Sequence, residues 1–227
     1  MRNLFISIVL FFIPLVSAAF ETGGVIYNST VEAEQVIALG IRPEGQMGAP
    51  WPHNIAVNAS DTGIAYKFDG SAAAGGRTGW RDATTPGCLC EGWGAGGLDR
   101  DGNQFSGRAN EAKGGVNNLE VKSFVTEETS LVSTVWIDDS DEGPTLEVIH
   151  RFGPAAKVPG VLFQALVTIT NIGGSTVQDV RYNRTMDWDI PPSEFDERVS
   201  IIGAEASASS ADFPKVLYSG NGGFMYP

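Results

Sequence analysis

Apolar and polar residues alternate with a period of two along most of this chain, and that period predicts strands rather than helices. The pattern is plainest over residues 161–195. In a first run, Phe163, Ala165, Val167 and Ile169 fall on one face. In a second, Val180, Tyr182, Met186 and Trp188 share one parity while Arg181, Asn183, Asp187 and Asp189 share the other. The turn-forming residues 171–175 between them predict a hairpin, and Pro191-Pro192 ends its second strand. Further strands are predicted at 25–27, 54–58, 62–68, 118–125, 130–137, 145–152, 199–202 and 215–218. Residues 34–41 fit either a strand or a helical turn. The acidic stretch 138–144 predicts a hairpin tip joining the strands before and after it.

Residues 69–101 break the pattern. They hold nine glycines, among them Gly92, Gly94, Gly96 and Gly97, together with Trp80 and Trp93. Glycine admits unusual backbone angles and close approach, so the expectation here is a long ordered loop. The whole predicts an all-β fold, a large antiparallel β-sandwich with long Gly-rich loops at one end.

Composition adds a compartment. Arg2 followed by about 13 almost wholly apolar residues and then small residues to Ala19 fits a secretory signal peptide, too short to span a bilayer of roughly 30 Å. Residues 1–19 are therefore read as a signal and 20–227 as a single sandwich domain, truncated at its C-terminus because 220–227 lack a finishing element. No later stretch predicts a transmembrane segment. The net charge is −12, and removal of Arg2, the one charged residue of the signal, makes it −13. That balance argues against nucleic acid as a partner. With 28 glycines and 12 prolines, it is the balance of a loop-rich extracellular domain. The two cysteines, Cys88 and Cys90, are expected to form a local disulfide in an exported protein.

Three groups of residues carry candidate chemistry. Asp187 and Asp189, on one strand, would leave the same face about 6.5–7 Å apart, the arrangement of a glycosidase acid and base. The plainer account is ion pairing with Arg181 or Arg184. Asp99 and Asp101 in one turn, and Asp138, Asp139 and Asp141 in another, resemble fragments of calcium loops, though neither has the full ligand spacing. Trp80, Trp93 and Trp188 could stack on sugar rings if exposed, or anchor loops if buried. His53 and His150 are the only histidines, and no nucleophile elbow accompanies them.

Residues 83–94 (ATTPGCLCEGWG), 167–171 (VTITN) and 181–195 (RYNRTMDWDIPPSEF) are similar, in that order, to a group of exported bacterial proteins that often carry a PEP-CTERM (exosortase-type) sorting tail. The resemblance implies a secreted or cell-surface bacterial protein of uncharacterised activity, and it transfers no catalytic residues. The chain ends at Pro227 without such a tail. The function expected is a binding or structural (matrix or biofilm) role, with extracellular polysaccharide or surface proteins as partners. The alternative is a carbohydrate-active enzyme using the paired carboxylates.

Overall fold

A computed structural model describes residues 22–50, 52–68, 79–86, 91–110, 115–139 and 143–191. The signal segment, Trp51, Cys88, Cys90, Asp141 and the strands expected at 199–202 and 215–218 lie outside them. The described residues form eleven strands and one 3₁₀ turn, Glu32–Glu34. In chain order the strands are β1 (Gly24–Tyr27), β2 (Ile37–Ile41), β3 (Ile64–Phe68), β4 (Gly79–Asp82), β5 (Gly92–Leu98) and β6 (Gln104–Asn110). Then follow β7 (Glu120–Thr126), β8 (Leu131–Asp139), β9 (Gly143–Pro154), β10 (Phe163–Asn171) and β11 (Gln178–Thr185). They make three antiparallel sheets with orders β1-β2-β3-β4, β10-β9-β8-β7 and β11-β5-β6.

The long sheet β10-β9-β8-β7 is one layer, and the other two sheets share its inner face. On that face Leu131 pairs with Phe152, Ser133 with His150, Val135 with Val148 and Ile137 with Leu146 across β8 and β9. Leu131 and Phe152 pack with Ile26, Leu39, Ile41 and Met47 of the first sheet and the turn after it. Val135, Ile137, Leu146 and Val148 pack with Trp93, Ala95 and Ala109 of the β11-β5-β6 sheet. A fully buried Val or Leu contributes about 1.5–3 kcal/mol, so these two clusters are what hold the layers together. Between them the Ser133–His150 rung faces the seam where the two smaller sheets meet. The fold is thus all-β and sandwich-like, with one layer in two parts.

Three expectations need correction. Runs 161–170 and 178–185 do not form a hairpin. β10 pairs with β9 along its whole length, whereas β11 crosses to the other layer and pairs with β5. Ile172 and Gly173 N–H both donate to the Thr145 carbonyl and hold that crossing connection against β9. A strand across the sandwich and a strand beside its neighbour show the same inward parity, so periodicity alone does not separate them. The glycine-rich stretch, read as a loop, contains β4 and β5, and the latter pairs with β6 through seven consecutive rungs. Residues 54–58 supply a single bridge, Ala56 to Trp80, instead of a strand.

Candidate functional site

Asp187 and Asp189 do not lie on a strand. β11 stops at Thr185, and beyond it Asp187 is exposed whereas Asp189 is buried, its N–H donating to the Ala83 carbonyl at 2.9 Å. The two arginines also go elsewhere. Arg181 clasps Asp179 through Nε (3.2 Å) and a terminal nitrogen (2.6 Å), and Arg184 pairs with Glu91. The three tryptophans do not form one exposed surface. Trp93 is a core residue, 1% exposed, while Trp80 is half-buried against Tyr27 and Trp188 is half-buried after β11.

The two acidic turns do converge. Asp99, Asp101 and Asp139 border one cavity of about 140 Å³, with Arg100 and Thr145 in the same wall; Asp138 is not part of it. Asp99 is a turn-former. Its carboxylate accepts from the N–H groups of Asp101 (2.8 Å) and Asn103 (2.7 Å) and from the Asn103 amide (2.9 Å), and these bonds, the Asn103 side chain first, hold its pKa down. Among the described residues no three His, Cys, Asp or Glu side chains are placed to hold a metal ion.

Two other arrangements are built on the β11-β5-β6 sheet, one on each face. On the inner face, a polar layer closes the seam. The turn after β2 brings three successive carbonyls into the core, and each meets a side chain. Pro43 accepts from the Ser133 hydroxyl (2.6 Å), Glu44 from the Trp93 indole (2.9 Å) and Gly45 from the Arg184 guanidinium (3.2 Å). Glu91, fully buried, accepts from the Met47 N–H (2.6 Å) and pairs with Arg184 Nε at 2.7 Å. Arg184 also bonds the Tyr182 oxygen. The Tyr182 hydroxyl lies 3.1 Å from His150 Nε2. Burial, and then the charge of Arg184, push the His150 pKa down to about 3, so the ring is neutral and shares one hydrogen bond with the Tyr182 hydroxyl through Nε2. Burial raises the Tyr182 pKa, which keeps the hydroxyl protonated. Gly45 has φ +92°, and a Cβ there would stand 2.8 Å from His150 Nδ1. The layer joins three sheets, and within it only His150 Nδ1 and Arg184 Nη1, among the described residues, are buried without a hydrogen-bond or ion-pair partner.

The outer face is a groove. Its rungs run Arg181–Gly96–Ser106 and Asn183–Gly94–Arg108, while in the next, Thr185–Gly92–Asn110, both Gly92 and Asn110 are buried. The middle strand thus offers only backbone, while the flanking strands raise polar side chains on both sides. The result is a trough about 10 Å across and about 20 Å long by strand geometry, enclosing about 830 Å³. Gly96 has a packing reason, since a Cβ there would lie 2.3 Å from the Phe105 carbonyl. Gly94 has none. Its φ is not left-handed, and an added Cβ would meet nothing closer than 3.5 Å.

No member of the inner layer was singled out for the part it plays, although the signal was present. Arg184 shares the parity of Tyr182 and Met186, and His150 that of Leu146, Val148 and Phe152. A charged or polar residue in an apolar row marks a buried polar layer. Among the described residues no helix is long and apolar enough to cross a membrane. No protein-family model, curated protein or solved structure matches this chain.

Proposed function

We propose that this chain is an extracellular binding domain that lays an extended, hydroxyl-rich polymer, a polysaccharide strand, along the outer groove of the β11-β5-β6 sheet. The observation that carries this is Gly94. Glycine in a strand interior weakens the strand unless the backbone must bend or something must approach closely. At Gly94 the fold asks for neither, and the side-chain-free floor it provides is flanked by amide, hydroxyl and guanidinium groups. Volume agrees, since ligand sites commonly enclose about 300–1,000 Å³. Reading residues 1–19 as an export signal, together with the likeness to exported PEP-CTERM-type proteins, puts such a domain outside a bacterial cell, where polysaccharides are at hand.

The test is affinity electrophoresis of the secreted chain through gels containing a panel of soluble polysaccharides, beside Gly94→Leu. Wild type is expected to be retarded by at least one of them. The variant, whose side chain would fill the trough without touching the core, is expected to run freely with a melting temperature no lower than that of wild type. A Gly94→Leu protein that is still retarded would remove the groove from the account.

A further inference from the structure

Resting on that groove, we infer that the polymer is acidic, a linear glycan bearing carboxylates at intervals, and that Arg108 recognises the carboxylate. The charges on this face are few and unequal. Arg181 and Asp179 neutralise one another in a two-pronged pair on the β11 rim. Arg108 stands on the opposite rim, exposed, on the same rung as Gly94 and Asn183. Among the described residues no carboxylate lies within ion-pairing distance of it.

An arginine with no partner among the described residues, beside bare backbone, presents its planar fork to whatever lies in the trough. A carboxylate matches that fork with two parallel hydrogen bonds, and each is stronger than a neutral one. Asn183 and Ser106 carry neutral donors and acceptors suited to sugar hydroxyls. The density of charge is limited from the other side. A chain of net charge −12 repels a polymer with an anion on every unit, and one unpaired cation per groove does not offset that repulsion. Nucleic acid is disfavoured on the same ground, since its binding rests on several phosphate contacts at once. The selected ligand is therefore mostly hydroxylated and sparsely acidic.

Binding of gellan oligosaccharide (a linear, mostly hydroxylated glycan with carboxylates at intervals), dextran sulfate and neutral dextran by the full secreted chain, by Arg108→Gln and by Gly94→Leu separates the possibilities in one calorimetric series. Wild type is expected to bind the gellan oligosaccharide best, and less tightly as salt is added. Arg108→Gln should lose roughly ten- to a hundredfold in affinity, the worth of a charge-assisted hydrogen bond, and most of the salt dependence. Gly94→Leu should abolish binding. Equal binding of neutral dextran, unaltered in Arg108→Gln but blocked in Gly94→Leu, would overturn the acidic ligand and keep the groove. Preference for dextran sulfate would overturn the sparse carboxylate. Binding that survives Gly94→Leu, or absence of binding in all three arms, would overturn both.

Discussion

The two faces of strand β5 are built on opposite terms. Inward, Trp93 and Ala95 are locked into a core whose polar side chains are tied to one another and to the turn after β2. Outward, Gly94 and Gly96 leave the strand bare between two polar rims. A residue on the first face is explained by what it touches within the molecule. On the second, Gly94 is explained by nothing within it. That asymmetry separates structural polarity from a surface kept open for a ligand, and the variants below press on each side of it.

The largest effect is expected at the ion pair. Glu91 is fully buried and Arg184 nearly so. Removing one member leaves the other as an uncompensated charge, which typically costs about 3–5 kcal/mol. Glu91→Ala also leaves the Met47 N–H without its acceptor. Urea denaturation of Glu91→Ala and Arg184→Ala should show losses of that order, and the double variant should lose less than their sum. Additive losses would mean that the pair contributes nothing as a pair.

Next comes acid. The native His150 ring resists protonation down to about pH 3, whereas in the unfolded chain it takes up a proton near the ordinary 6.5. Between those values the unfolded state binds more protons, so stability is complete above about pH 6.5 and falls as the pH is lowered towards 3. From pH 6.5 to 4 the loss traceable to this ring is on the order of 3 kcal/mol. His150→Gln, which does not titrate, should flatten the stability profile over that range relative to wild type. Buried Asp82, whose pKa is raised chiefly by burial against four hydrogen bonds, acts in the opposite sense and is common to both proteins. Parallel profiles would show that the core admits the charged ring.

Periodicity made β9 legible because its inward Leu146, Val148 and Phe152 alternate with outward Glu147 and Arg151. β8 alternates buried and half-buried along its full length. The β11-β5-β6 sheet was not legible at its centre. In GWGAGGL the outward positions carry almost no side chain, so there is no polar parity to contrast with Trp93 and Ala95. The same absence that hid the strand makes the groove. Asp187 and Asp189 were misplaced for another reason, since the alternation continues past Thr185 in sequence after the ladder has ended. Glu91 carried no signal at all. Its role depends on a turn 44 residues away, and long-range pairing of that kind leaves no local pattern.

The smallest effects are the most discriminating, because two glycines of one sheet are predicted to respond with opposite sign. Gly107 faces inward on β6, where a Cβ would stand 2.5 Å from the Asn118 carbonyl and 2.8 Å from the Ile137 side chain. Gly107→Ala is therefore overpacked and should lose about 1–3 kcal/mol. Gly94→Ala meets only ordinary contacts at 3.5 and 3.7 Å and restricts the unfolded chain, so it should gain about 0.4–1 kcal/mol. If both lost stability, Gly94 would have a conformational role within the fold and the argument from its redundancy would fail. If Gly94→Ala gains as expected, the sheet would be more stable with a side chain there than without one. A position where the fold gains from a side chain the sequence does not supply is one where the bare backbone serves something outside the fold.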